Sequence, residues 1–432
     1  MQNVTNEQAD GLSRRDFIKA SAAVSLGTLG MTSRVFAAGS DTIRVGFIGC
    51  GGQGTSNAID CLKSSDGVEL VAMADIFQDR VDYSMARMLK AGVGDKVKVS
   101  NDRVFLGFDA YKKVLALPDV DIVLLTTPPG FRPEQLAAAV EAGKHVFMEK
   151  PVAVDPVGIR SIIDSSEKAA QKGLSIVAGT QQRRMSHYIE VIKRVHDGQI
   201  GRIVSGQCYW NWGEQNWHFH KRQAQWSDME WQIRCWPYFT WLSGDHICEQ
   251  HVHNLDIINW AVGSHPVQCL AVGGRQVRTG TKYGNIFDHF GVEYEYPDGV
   301  RVLSMCSQIK GTTERVCEEV VGTKGSTYTT RGVGYIKGEN AYKYDGPRLD
   351  ATLQQHADLI KSVRDGKPIN EGKRVAESTM TAIMGRISAY TGRALKWDWV
   401  MQASKLDLRP PEYKLGDLPV QPVAMPGRTP LV

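Results

Sequence analysis

The sequence has 432 residues, 42% of them hydrophobic and 23% charged, with a formal net charge of +4 at pH 7. This length predicts about two domains with a sizeable core. The charge is too small and too evenly spread to suggest a nucleic-acid partner, and with no run of ~18 apolar residues, no membrane-spanning helix is expected.

Residues 1–38 read as a targeting segment. Ser13-Arg14-Arg15-Asp16-Phe17-Ile18-Lys19 resembles a twin-arginine export signal, and an uncharged, moderately apolar stretch follows it. Small residues around Ala37 and Ala38 suit a signal peptidase. The expectation is a periplasmic or otherwise exported protein that engages the twin-arginine machinery folded. The eight cysteines are scattered, with no C-x-x-C pair and no regular framework.

Ile43, Val45, Phe47 and Ile48 predict a short buried strand, and Gly49, Gly51 and Gly54 follow as G-x-G-x-x-G, with Gly52 and Gln53 between them. Such a loop needs glycine for a tight turn, for close approach of a pyrophosphate and for helix–strand packing. The free N–H groups of the next helix then hold the diphosphate. A second strand, residues 69–74, ends in Asp75, about 20 residues on, where an acid binds a ribose 2′-hydroxyl. Its charge would repel a 2′-phosphate, so NAD is favoured over NADP.

Helices and strands alternate from there to about residue 180. Residues 96–100 are a possible strand, and 120–127 (VDIVLLTT) a strand buried on both faces. Residues 133–143 form a helix, 144–148 a strand ending in Glu149-Lys150-Pro151, 156–172 a helix and 174–180 a strand. That pattern predicts a doubly wound parallel sheet. After about residue 200 the strand-like runs 203–212, 267–277, 289–296, 300–309 and 315–321 are joined by turn signals such as Pro297-Asp298-Gly299. They predict an α+β domain with an open, largely antiparallel sheet. Helices are expected over 351–365 and 374–391, before a proline-rich tail. The domain reading is 39–180 for nucleotide binding, 181–370 for substrate and oligomer contacts, and 371–432 for a C-terminal helix and extended tail.

Four features in order resemble the glucose–fructose oxidoreductase and inositol dehydrogenase family (Gfo/Idh/MocA), over nearly all of the chain after residue 38. They are the glycine loop, Glu149-Lys150-Pro151, Gly179-Thr180-Gln181-Gln182-Arg183-Arg184, and Glu249-x-x-x-His253-Asn254-x-Asp256. The family usually has aspartate where this chain has Glu249, and often a histidine near Arg132. The resemblance implies a Rossmann domain joined to an open sheet whose free face makes homo-oligomers. It also implies that Thr127, Pro128, Glu149 and Lys150 border the NAD.

Removing hydride from a carbinol needs a proton acceptor and a group that holds the oxygen. His253 has the chemistry for the first task, with Glu249 expected one helical turn earlier on the same face. Lys150 stands at the carboxyl end of a parallel strand, where such sheets bind ligands. These three are the candidate catalytic residues. Seven of the ten tryptophans fall between Tyr209 and Trp241, a composition suited to capping a sugar site. Trp217 and His218 from this stretch, with Arg183, Arg184 and Asp256, are the candidate substrate contacts. His218, His220, His246 and His251 complete no evident ligand set, so no metal is expected.

The function expected is oxidation of a sugar, polyol or glycoside hydroxyl by tightly bound NAD. The alternatives are redox-neutral glycoside cleavage through a transient keto-sugar, and a non-catalytic binding protein on a dehydrogenase scaffold.

Overall fold

The computed structural model describes residues 42–213 and 216–432; the segment read as an export signal lies outside them. β1 (Ile43–Ile48), β2 (Val68–Asp75), β3 (Val104–Leu106), β4 (Ile122–Leu125), β5 (His145–Met148) and β6 (Ile176–Ala178) form one sheet in the order β3-β2-β1-β4-β5-β6. Every pair in it is parallel. The chain reverses its direction of travel across the sheet between β1 and β4, the place where doubly wound folds open a ligand crevice. Residues 96–100 form no strand: Val97 makes one isolated bridge to Leu70, and the edge strand comes later, as β3.

A second sheet holds β7 (Ile203–Trp212), β8 (Gln268–Gly274), β9 (His289–Glu295), β10 (Arg301–Gln308), β11 (Arg315–Gly322), β12 (Gly325–Thr329), β13 (Gly334–Gly338), β14 (Tyr342–Lys343) and β15 (Leu395–Lys396). Its order is β14-β13-β12-β11-β7-β10-β9-β8-β15. It is antiparallel except where β7 runs parallel to β10. One face packs on the buried helices Val252–Val262 and Gly372–Thr391. The other exposes Leu270 and Val272 on β8 and Leu303 and Met305 on β10.

Two late segments return to the first sheet. The helix Gly372–Thr391 packs against the helix Pro156–Gln171 as well as β8. The helix Ala351–Arg364 contributes Leu359, Ile360 and Val363 to the core beneath Ile43, Phe47 and Leu62, although the sequence reading placed it with the second domain. Its buried His356 lies 3.3 Å from Asn57 in the helix after the glycine loop. All eight cysteines are buried and unpaired, and no described helix is long and apolar enough to cross a membrane.

Candidate active site

The glycine loop divides its labour. Gly49 has φ +99°, and a Cβ there would meet Thr127 N at 2.6 Å; one on Gly54 would lie 2.2 Å from Gly49 O. These two glycines are demanded by the fold itself. Gly51 has no atom within 4 Å of its notional Cβ, so its small size serves open space. It is also the uncapped N-terminus of the helix Gly52–Ser64, with no side chain satisfying the first N–H groups. An open cradle of free donors at a positive helix end is what a diphosphate requires. Asp75 braces it: Oδ2 accepts from Cys50 N–H at 2.7 Å and Oδ1 from Phe77 N–H at 3.0 Å. Burial pushes this carboxyl upward, against the pull of those bonds and of Arg80.

Loop and strand ends are stitched together by buried polar groups. Glu149 Oε1 accepts from Asn57 at 2.7 Å and Gln53 at 3.3 Å, and Oε2 accepts from Lys150 N–H at 3.0 Å. The same carboxylate lies against Gly179, where any side chain would collide with it. Arg132, fully buried, donates to the carbonyls of Thr127 and Pro151 and so ties the ends of β4 and β5. Burial lowers its guanidinium to about 10, with Glu149 opposing. In this chain Arg132 is a brace for the cleft wall.

The cleft above these groups has a volume of about 460 Å³, within the range of small-molecule and cofactor sites. It is lined by Gly49, Gly51–Gly54, Asp75, Thr127, Pro128, Glu149 and Lys150 on one side. On the other are Trp210, Trp212, Trp217, His218, Glu249 and His253. Lys150 Nζ donates to Glu249 Oε1 at 3.0 Å and to its backbone carbonyl at 2.6 Å. His253 is buried, stacks on Trp210 at 5.9 Å between ring centroids, and has no side-chain hydrogen bond among the described residues. Burial, then Lys150 and Arg331, hold its imidazole well below the usual range, so the ring is neutral.

One expectation fails here in a specific way. Glu249 and His253 do not share a helical face, because the helix His246–Glu249 ends at Gln250 and a second begins at Val252. The break frees the Glu249 carbonyl for Lys150, and Glu249 supports the lysine rather than the histidine.

Arg183, Arg184 and Asp256 lie outside the cleft lining. Asp256 is buried and accepts from Arg183 at 2.6 and 2.9 Å, Ser378 at 2.7 Å and Arg374 at 3.2 Å. Burial alone would raise its carboxyl; Arg183 and Arg374 win and hold it low. Arg184 bonds to Asp358 and Glu371. A buried charge must be paired, and Asp256 with Arg183 and Arg374, and Arg184 with Asp358 and Glu371, are such pairs. Trp217 and His218 do reach the cleft. His218 has φ +53° and packs on Trp236, and burial followed by Arg80 and His220 lowers it to about 4.

Arg331 is a cleft residue that the sequence reading missed. It sits in the β12–β13 turn, with its guanidinium 5.2 Å from the Trp210 ring centroid. The alternation of Thr327-Tyr328-Thr329 and Tyr335-Ile336 around Gly332 is the hairpin signal that would have found it. Among the described residues no three His, Cys, Asp or Glu side chains gather as a metal site; His251 is committed to Asn254 and Ser304.

Comparison with known proteins bears on this geometry. Residues 43–177 match the family model "Oxidoreductase family, NAD-binding Rossmann fold", and residues 188–328 match "GFO/IDH/MocA C-terminal domain". A glycosyl hydrolase family 109 protein of Shewanella putrefaciens is 27% identical over 215 residues, covering 45% of each chain. The chain thus spans less than half the length of the curated relatives it matches. Among solved structures, the aldose–aldose oxidoreductase of Caulobacter crescentus covers 82% of this chain and 99% of its own, with a TM-score of 0.64 at 18% identity. The scyllo-inositol dehydrogenase of Lactobacillus casei, solved with NAD(H) and scyllo-inositol, gives 0.61 at 17% identity with the same coverage. Those likenesses speak to the fold, and the two family matches to descent. The chain belongs to the Gfo/Idh/MocA family of NAD-binding oxidoreductases.

Proposed function

We propose that this NAD-dependent oxidoreductase acts on a hydroxyl of a sugar, polyol or glycoside and keeps its nucleotide tightly bound between turnovers. The observation that carries the reading is the meeting of Lys150, Glu249 and His253 with Trp210, Trp212 and Trp217 at one end of the nucleotide cleft. Flat aromatic faces suit the C–H faces of a sugar ring. NAD, when bound, supplies the hydride acceptor. Two of the three N–H groups on Lys150 Nζ are held by Glu249, which leaves one to hold the substrate oxygen. The neutral, unbonded imidazole of His253 takes the hydroxyl proton. The test is to add a panel of sugars and polyols to the NAD-loaded protein and follow the absorbance of reduced nicotinamide. No change with any of them would overturn the reading.

A second reading has its own support, the similarity to a glycosyl hydrolase family 109 protein. There the oxidised sugar loses the acidified neighbouring proton and the aglycone by elimination, water adds in the aglycone's place and the hydride is returned, so the net reaction is hydrolysis of the glycoside. Aryl glycosides offered without an acceptor separate the two: many turnovers of released phenol favour cleavage, and at most one equivalent favours net oxidation.

Export by the twin-arginine route rests on the Arg14-Arg15 segment, and cell fractionation tests it. Homo-oligomer formation is supported by the exposed face carrying Leu270, Val272, Leu303 and Met305, since monomers rarely leave such apolar rows uncovered. Light scattering that gives a monomer at micromolar concentration would remove it.

A further inference from the structure

At the Asp75 end the cleft is bordered by a segment the glycine motif does not foresee. The short helix Asp228–Arg234 brings Ile233 and Arg234 opposite Phe77, Arg80 and Phe108. Arg234 donates to both oxygens of Asp79, at 3.0 and 3.1 Å, and to Glu230 at 2.9 Å. Its guanidinium lies 3.9 Å from the Phe77 ring centroid and 5.1 Å from that of Trp226. A bidentate fork that also stacks is more than a loose surface pair.

The C-terminal tail holds this helix from behind. Met229 N–H donates to Gly416 O at 3.1 Å, Gln232 Nε2 to Leu418 O at 2.6 Å, and Leu418 N–H to Asp228 at 3.2 Å. Tyr413 of the tail packs on Phe108 and Phe131, with centroids 6.0 and 5.2 Å apart. Two stretches remote in sequence therefore form one apolar block over the cleft.

We propose that the helix Asp228–Arg234 of the tryptophan-rich stretch and the C-terminal tail are a second wall of the nucleotide site, which encloses the adenosine half of the dinucleotide and retains it. The chemistry fits that half: aromatic and aliphatic surface with the stacked Arg234 guanidinium suits a flat, electron-rich base, while Asp75 serves the ribose. Release requires the Arg234–Asp79 fork to open and the tail to lift. The proposal rests on the reading that NAD stays bound between turnovers, and it assigns the residues responsible.

Asp79 and Tyr413 lie outside the cleft lining, so their variants loosen the wall without touching the nucleotide. The full-length protein is loaded with radiolabelled NAD and chased with unlabelled NAD, and retained label is followed by filter binding. Asp79→Asn and Tyr413→Ala should each release label about three- to tenfold faster than wild type. Asp82→Asn, on the same exposed helix face, should leave the rate unchanged. Melting temperatures check that the variants are folded, and the exposed Asp79 site guards against a failure to fold. Wild-type release rates in both Asp79→Asn and Tyr413→Ala would overturn the wall. A fast-exchanging wild type whose variants are faster still would keep the wall and remove only the reading of NAD as a resident group.

Discussion

Replacing Lys150 with methionine keeps the side-chain stem and deletes the ammonium. Three N–H donors are lost, two of them at 2.6 and 3.0 Å from Glu249 and the third the one assigned to the substrate oxygen. Removing one positioned donor from an oxygen that gains charge in the transition state costs about 10²–10³ in kcat. A fall in kcat of about 10³ is therefore expected, roughly 4 kcal/mol of transition-state stabilisation. Nucleotide affinity should stay within about threefold, because the cradle is held through Glu149, Asn57 and Gln53 without the ammonium. Glu249→Gln is milder, about tenfold, since Lys150 keeps the backbone carbonyl of residue 249. The double variant should resemble Lys150→Met alone, as residues acting as one unit are not additive. Single-turnover reduction of bound NAD and calorimetric nucleotide binding give the two numbers. A kcat within fivefold of wild type, or loss of NAD along with turnover, would refute the assignment.

The glycines offer a sharper contrast. Gly49→Ala should impair folding, because its Cβ would collide with Thr127 backbone at a positive φ. Gly51→Ala should leave the melting temperature within a degree or two yet weaken NAD binding by about tenfold or more; unchanged affinity would mean that the diphosphate lies elsewhere. Asp256→Asn should cost on the order of 3–5 kcal/mol in urea unfolding, since it strands Arg183, whose carboxylate partner it is, while Arg374 keeps Glu371. Because the Asp256 carboxyl is held below its ordinary value, its stabilising contribution is present above about pH 4 and fades as pH falls further. The gap between variant and wild type should close there and not at neutral pH. Glu318 has the opposite sign: burial pushes it up to about 7 despite bonds from Thr329, Tyr188 and Asn254. Wild-type stability should therefore decline from about pH 4.5 to pH 7 relative to Glu318→Gln, and parallel pH–stability curves would contradict this.

What was legible in the sequence was local. The G-x-G-x-x-G spacing marks Gly49 and Gly54 without sight of Thr126 and Thr127, the distant residues their Cβ atoms would strike, and the unbroken apolar run at β4 announces a strand covered on both faces. What stayed hidden depends on partners far away in the chain. Asp256 looks like a polar residue of an active-site motif until Arg374, 118 residues on, is seen to claim it. Arg183 and Arg184 were read as substrate contacts for the same reason, since their carboxylate partners come from other elements. The interruption at Gln250 left no mark of its own, because neither glycine nor proline produces it. The hairpin of β12 and β13, five residues in each strand, showed only as a short alternation on either side of Gly332, and Arg331 was overlooked with it.

The helix Ala351–Arg364 carries a consequence for synthesis. Its Leu359, Ile360 and Val363 finish the core beneath β1 and the helix after the glycine loop. A ribosome that has delivered the six parallel strands has therefore made a sheet with one flank still bare. That flank stays open to wrong partners until well over a hundred further residues have emerged, and the tail that latches the insertion emerges later still. Nascent chains of this protein should therefore depend on chaperone shielding. They should become competent to capture nucleotide only near the close of translation, however early the G-x-G-x-x-G turn has formed.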